Sequence, residues 1–290
     1  MAIVRGSQAG LRGTRRLMTA LLALFLIYTF LPLFYLIVSS TKDDTALFSS
    51  FGLWFADRVH LLTNLHELFT FQGGVFVSWL GNTALYAGAS ALGSALIASI
   101  AGYAFAKFAF PGRKGLFAVI LGSTMVPRTA LVIPVFLLLS NIGLVDTPLA
   151  VILPSLVFPL GVYLMRVYVE QSVPDELLDA ARIDGAGEIR IFASVVFRII
   201  TPAFVTVLLL SFVQTWNNYF LPLVVLSTPR LFPLTVGLAS WYQQASAGSG
   251  AQALFSLVMT GALVSIIPVT IAFLFLQRFW QDGLTTGGVK

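Results

Sequence analysis

The chain has 290 residues, of which 58% are hydrophobic and only 10% charged, with a mean hydropathy of +0.91. A soluble domain carries about 25% charged residues, so this composition excludes a water-soluble globule and places the chain in a bilayer. There is no cysteine, which removes disulfide and thiol chemistry, and the net charge is +5.

Six runs reach the roughly 20 apolar residues that a spanning helix needs: 17–39, 76–106, 115–139, 148–169, 202–226 and 253–277. The roughly 10-residue alternating segments of a membrane β-barrel are not visible. The sequence therefore predicts an all-α, polytopic membrane protein with six transmembrane helices. Arg5, Arg12, Arg15 and Arg16 precede the first run. Its apolar length of about 22 residues exceeds the 7–15 of a signal-peptide core, and no A-x-A-like cleavage site follows. It is expected to be retained, leaving residues 1–16 as a short N-terminal segment and 17–290 as one transmembrane domain.

Between the first and second runs lies the longest connection, 40–72, with the only histidines, His60 and His66. Six residues apart and without cysteine, they lack metal-site spacing, and a packed surface loop is expected instead. In the second run Ala87, Ala91, Ala95 and Ser99 recur every fourth position, a small-residue face that lets helix backbones approach closely. The run ends at the turn Pro111-Gly-Arg-Lys114.

Pro127 and Pro134 break the third run, and Pro222 falls in the fifth. Proline inside a spanning helix frees carbonyls that neighbours or a water-lined cavity must satisfy. Arg128 is drawn near mid-span. Either it faces a pathway or partner, or the helix starts later and the side chain snorkels to the interface. Met125, Arg128, Trp216 and Asn217 are the solute-pathway candidates. None of the six runs contains Asp or Glu, which weighs against a proton- or sodium-coupled carrier, because such carriers place carboxylates at depth. The polar groups at depth are neutral, among them Asn82, Thr83, Ser123, Thr124, Gln214, Asn217, Asn218 and Ser265, and suit an uncharged, hydroxyl-bearing solute.

Six of the 12 acidic residues lie between Glu170 and Glu188. Within that loop Ser172 can cap a helix, Pro174 fits its first turn, Asp175 and Glu176 favour its positive end, and Gly185 stops it. Leu177, Leu178 and Ala181 then form an apolar patch beside Ala180. A second amphipathic stretch carries Ile189, Phe192, Val196 and Ile199 at 3–4 spacing and leads into Pro202. Lysine and arginine orient the chain. The N-terminus, the 107–114 turn, the 166–198 loop and the C-terminus hold 13 of them, against three (Lys42, Arg58, Arg230) on the opposite side and Arg128 within a run. Both termini and the acidic loop are thus expected to be cytoplasmic, and the positive charge reflects topology rather than nucleic-acid binding. The cytoplasmic leaflet is itself negative, so an acidic loop is better suited to a soluble protein partner than to the membrane surface.

Asp179-Ala-Ala-Arg-Ile-Asp-Gly-Ala186, followed by Pro202, resembles the EAA loop of permease subunits of binding-protein-dependent ABC importers, in the sugar branch typified by the smaller permease of maltose-type systems. Leu31-Pro-Leu33, Ser39-Ser-Thr-Lys42, Ala101-Gly-Tyr-Ala-Phe-Ala106, Phe110-Pro-Gly-Arg113, Met125-Val-Pro127 with Pro134, Gly143-Leu-Val-Asp-Thr147, Trp216-Asn217, Leu221-Pro222 and the tail from Gly283 to Lys290 are similar to that branch as well. Asp179 stands where the family usually has Glu, Phe197-Arg198 replaces a common Leu-Pro, and the tail ends one Gly short.

The resemblance implies an EAA-type cytoplasmic coupling helix between spans 4 and 5, within a loop of about 170–201. Glu176, Leu177, Asp179, Ala180, Ala181, Asp184, Gly185 and Ala186 would contact an ATPase there. The tail of about 278–290, through Gly283, Thr285, Gly287 and Lys290, would touch the ATPase pair. It further implies a second homologous permease, two cytoplasmic ATPases and an extracytoplasmic solute-binding protein, in a bacterial or archaeal cytoplasmic membrane. The solute is expected to be a mono- or oligosaccharide, with a sugar alcohol or glycerol phosphate as alternative. No G-x-x-x-x-G-K-[ST] exists; Gly112-Arg-Lys-Gly115 lacks the spacing and the hydroxyl. ATP and Mg would be bound by the partner ATPases, and this chain would be no enzyme. A membrane hydrolase using the loop carboxylates is disfavoured, because they share a helix with Arg182 and face no nucleophile or metal set.

Overall fold

The computed structural model describes residues 4–247, 254–277 and 279. Those residues are mostly helical, with no strand among them. Among the described residues five helices are long and apolar enough to cross a membrane, and a sixth crossing results if one bent pair counts as a single span. The chain forms two compact units, Met1–Phe71 with Trp241–Val264 and Gln72–Ser240 with Ser265–Lys290.

In the first unit α1 (Val4–Ser40) ends in a polar knot with α2 (Asp44–Ser49) and the start of α3 (Leu61–Lys107). Asn64 Nδ2 donates to the carbonyls of Ser40 and Lys42, both at 2.9 Å, and the buried Lys42 Nζ donates to the Phe51 carbonyl at 2.7 Å. Asp43 caps α2 through the Ala46 amide at 2.7 Å, and Asp44 accepts from the amide and hydroxyl of Ser256. The 40–72 connection is therefore largely ordered structure. His66 lies within α3, and His60 Nε2 approaches Asp43 at 3.9 Å.

Within α3, φ turns positive at Gln72, Gly73 and Gly74. This left-handed turn, which two glycines make sterically cheap, falls at the boundary between the units and just ahead of the second apolar run. Beyond it the small-residue face packs as expected: Ala87, Ala91, Ala95 and Ser99 are all buried.

In the second unit α3 packs against α7 (Pro159–Ser172), which follows α6 (Pro148–Ser155). A Cβ on Gly102 would stand 2.5 Å from Met165 Cβ and 2.8 Å from the Arg166 amide nitrogen, so the two backbones nearly touch. A Cβ on Gly161 would meet Val207 at 2.8 Å and Ala98 at 3.2 Å, which brings in α10 (Phe197–Trp216).

The third run bends by 100° between α4 (Arg113–Ser123) and the segment formed by a 3₁₀ turn (Arg128–Leu131) and α5 (Val132–Asn141). Pro127 sits at the break, whereas Pro134 falls in the first turn of α5, where a missing N–H costs little. The fifth run is displaced from 202–226. Its long helical stretch is Glu188–Trp216, with Pro202 inside α10, and Pro222 belongs to a separate short helix, α11 (Phe220–Val225). Asn217 ends α10 by turning its Nδ2 back to the Val213 carbonyl at 2.8 Å, the local competition with helix bonds that makes Asn a terminator. Among the described residues a 3₁₀ turn (Pro229–Leu231), α12 (Leu234–Ser246) and α13 (Phe255–Leu276) follow.

Candidate functional site

The acidic loop folds into α8 (Asp175–Ile183), two and a half turns, then α9 (Glu188–Ile191), a π-helical turn (Phe192–Val196) and α10. Ser172 does not cap α8. It ends α7, and the N-cap position falls to Pro174, whose extended backbone (φ −66°, ψ 141°) offers no side-chain bond. Gly185 stops the helix as expected. At φ +79° its amide bonds the Arg182 carbonyl while the Ala186 amide bonds the Ala181 carbonyl, each at 3.0 Å, a Schellman closure that favours glycine.

The expected apolar patch divides between two sides. Leu178 is 1% exposed and joins the core with Val173, Met165 and Ile191, and Ala181 packs on the same cluster. Leu177, 42% exposed, points out, as do Ile183 and Ile189 at 86% and 87%. Glu176, Asp179, Ala180, Asp184 and Gly185 are also exposed, and Ala186 is half-buried on the core side. The outward face therefore mixes carboxylates with Leu177, Ala180 and Ile183.

Ile189 is not on the buried stripe of the second stretch. The fully buried positions are Ile191, Val196 and Ile200, with Phe192 and Ile199 packed beside them. The step of five from Ile191 to Val196 is the signature of the π turn, which inserts one residue into the 3.6 period and shifts the phase read from sequence.

Side chains from neighbouring helices pin both ends of α8. Lys107, the last residue of α3, donates to the Val173 carbonyl and to Asp175 Oδ1, both at 2.7 Å. At the other end, Arg182 in the last turn of α8 donates to Asp179 Oδ1 and to Glu188 Oε1 of α9, both at 2.8 Å, and the Tyr103 hydroxyl of α3 donates to Glu188 Oε2 at 3.2 Å. The hydrogen bond to Glu188, and after it that to Asp179, raises the Arg182 pKa above its ordinary value. Arg166 extends the network, bonding Glu170 at 2.9 Å with its guanidinium 4.0 Å over the Phe117 ring of α4. Lys107 and Tyr103 carried only positive-inside and family-pattern meaning in the sequence, because their partners lie 68 and 85 residues away.

The pathway candidates occupy the two breaks. Met125, 85% exposed, and Arg128 flank the bend, with the Arg128 guanidinium 5.8 Å from the Phe158 ring. Arg128 opens a 3₁₀ turn, so its helix does start later than the run implied. Trp216 is buried against Phe212, and Asn217 terminates α10.

Several neutral polar groups are structural rather than free for a solute. Trp79 Nε1, Asn82 Nδ2 and the Tyr86 hydroxyl donate to the carbonyls of Pro229, Arg230 and Leu231 at 2.8, 2.7 and 2.9 Å, and Thr83 accepts the Leu234 amide at 2.8 Å. One face of α3 thus holds the backbone of 229–234, and Gly237 leaves room for the Trp79 ring. Ser123 and Thr124 bond carbonyls of their own helix.

Asp146, with φ +60°, receives the amides of Ser227 and Thr228 and the Thr228 hydroxyl at 2.6–2.9 Å. These bonds, the hydroxyl's foremost, hold its pKa down at about 2. Gly283, Thr285, Gly287 and Lys290 lie outside the described residues.

Residues 94–284 match the family model of the binding-protein-dependent transport system inner membrane component. The chain is 35% identical over 260 residues, covering 89% of itself and 90% of its relative, to the arabinooligosaccharides transport system permease protein AraQ of Halalkalibacterium halodurans. It is 30% identical over 278 residues, covering 95% and 96%, to the melibiose/raffinose/stachyose import permease protein MelC of Bacillus subtilis. A chain of a crystallised bacterial ABC transporter involved in the import of the acidic polysaccharide alginate shares the fold, with a TM-score of 0.77, 23% identity and coverage of 92% and 96%. This protein belongs to the family of binding-protein-dependent transport system inner membrane components. It is a multi-pass protein of the cytoplasmic membrane and a transport component.

Proposed function

We propose that this chain is the permease subunit of an ATP-driven importer that carries a sugar, most simply an oligosaccharide, into the cytoplasm. The names of its relatives support the class of solute, since both similar permeases serve oligosaccharide uptake. A sugar alcohol or glycerol phosphate is the alternative solute. In this reading residues 17–290 form one transmembrane domain of six spans, the bent pair around Pro127 being the third, and residues 1–16 lie in the cytoplasm. The 13-to-3 distribution of Lys and Arg supports cytoplasmic termini and a cytoplasmic acidic loop.

The observation that carries the mechanism is the double anchoring of α8. Lys107 ties its first turn to α3, and Tyr103, through Glu188 and Arg182, ties its last turn to the same helix. A push on α8 therefore moves α3 as a lever rather than dissipating in a loop. One of two cytoplasmic ATPases, which bind ATP and Mg, docks on the outward face of Glu176, Leu177, Asp179, Ala180 and Asp184, and the tail with Gly283, Thr285, Gly287 and Lys290 touches the ATPase pair. Gly185 and the half-buried Ala181 and Ala186 shape the end of that face. Closure of the ATPases shifts the bundle between inward- and outward-facing states, a coupling between distant sites through rigid elements. A second homologous permease completes the pathway, to which Met125, Arg128, Trp216 and Asn217 contribute, and a solute-binding protein delivers the sugar. This chain makes and breaks no covalent bond.

Reconstitution tests the proposal. Vesicles holding the full complex take up labelled oligosaccharide only with ATP inside and binding protein outside. Uptake by this chain alone, driven by an ion gradient, contradicts it.

A further inference from the structure

The segment after α1 displays an aromatic face that the transport mechanism does not use. Phe48 and Phe51 are each 73% exposed, Trp54 64%, Val59 65% and Leu62 82%. These side chains project from a fixed backbone. The buried Lys42 ammonium holds the Phe51 carbonyl at 2.7 Å, the Trp54 amide bonds the same carbonyl at 3.2 Å, and a Cβ on Gly52 would stand 3.5 Å from the Tyr35 ring of α1. Phe48 is seated edge-on against Phe255 at 5.1 Å. Such rigid display of large apolar rings calls for an apolar partner.

The geometry of α1 locates that partner. Its crossing segment, Leu17–Ser40, has 24 residues, about 36 Å at 1.5 Å per residue against a hydrocarbon core of roughly 30 Å. A helix that enters beside Arg15 and Arg16 thus leaves the core within its last turns, and residues 44–62 fall at the headgroup level of the far leaflet. Tyr28, Leu31 and Tyr35, at 3–4 spacing on α1, are exposed as well. Asp57 and Arg58, both exposed, follow at once. Apolar rings beside charge at this depth match the aromatic belt of membrane proteins.

We infer that Phe48, Phe51 and Trp54 form an interfacial anchor that inserts into the headgroup–acyl boundary of the leaflet opposite the N-terminal arginines, fixing the depth and tilt of α1. The occupant is lipid, and the anchor goes beyond the proposed transport role without depending on it.

Tryptophan emission of the full-length chain tests this in phosphatidylcholine vesicles with and without bromines near the carbonyl end of the acyl chains. The difference between the native chain and Trp54→Phe isolates Trp54. Phe51→Trp placed in the Trp54→Phe chain gives an independent probe should removal of Trp54 disturb the loop. Both probes are expected to emit blue-shifted light, to lose most of their intensity in brominated vesicles, and to resist aqueous acrylamide. Stronger quenching by acrylamide than by brominated lipid at both positions would overturn the anchor and leave this face to a soluble protein partner.

Discussion

Lys107 and Asp175 face each other at 2.7 Å across the junction of α3 and α8, and the same ammonium holds the Val173 carbonyl. The lysine side chain is 9% exposed and the aspartate 76%, so the bond to the carbonyl is the better shielded of the two. It also links the acidic loop to a membrane-crossing helix that is distant in sequence.

Lys107→Met removes both bonds while keeping the apolar stem. With the Val173 carbonyl left without its charged donor, a loss of about 1–3 kcal/mol of local stability follows. Faster amide exchange over 175–183 at unchanged membrane insertion is the expected readout, together with reduced uptake per ATP hydrolysed. Exchange identical to the native chain would show that Lys107 carries no tension.

Gly102→Leu forces a side chain into the contact between α3 and α7, where even a Cβ meets the Arg166 backbone at 2.8 Å. Overpacking of this kind costs about 1–3 kcal/mol or more. Thermal denaturation of the purified chain should shift down by several degrees. Gly88→Leu is the control, since no atom lies within 4 Å of a Cβ there.

Tyr86→Phe leaves the Leu231 carbonyl without its hydroxyl donor, at a cost of about 1–3 kcal/mol. Trp79, Asn82 and Thr83 still hold the rest of 229–234, so limited proteolysis between 229 and 234 should accelerate only when Asn82→Leu is added.

Asp146 sets a pH dependence. Its folded pKa of about 2 lies below the unfolded aspartate value of about 3.9. The depressed group therefore contributes stability that is fully present above about pH 4 and is lost as pH falls toward 2. Asp146→Asn should flatten the melting-temperature profile of the chain in that window and leave the profile near neutrality parallel to the native one.

What could be read from the sequence followed from local chemistry. Gly185 stops α8 because a left-handed residue is needed there, and Asp175 and Glu176 start it. The stripe Ala87, Ala91, Ala95 and Ser99 is buried because small side chains admit a neighbouring backbone. The apolar runs located five crossing helices and, through Pro127, the bent pair. Illegible were the features that depend on distant partners or on a change of period. The π turn at Phe192–Val196 moves the buried stripe from Ile189 to Ile191 and brings Ile189 to the surface. Leu178 and Leu177 are adjacent and both apolar, and only packing against Met165 and Val173 decides which is core. Asn82 and Thr83, read as suited to a solute, bind backbone about 150 residues away. The helix α12 carries no run long enough to announce itself, and Pro222 lies outside α10 because Asn217 ends that helix early.

Burial decides which substitutions on α8 interrogate docking. Ala181 packs inward, so Ala181→Glu confounds docking with folding. Leu177 and Ala180 face outward and separate the two. The most direct measurement is co-purification of the ATPase with the tagged chain, co-expressed with its second permease, comparing native, Leu177→Glu and Ala180→Glu. Both variants are expected to insert and retain the second permease but lose the ATPase. Full retention of the ATPase by both would contradict α8 as the docking element.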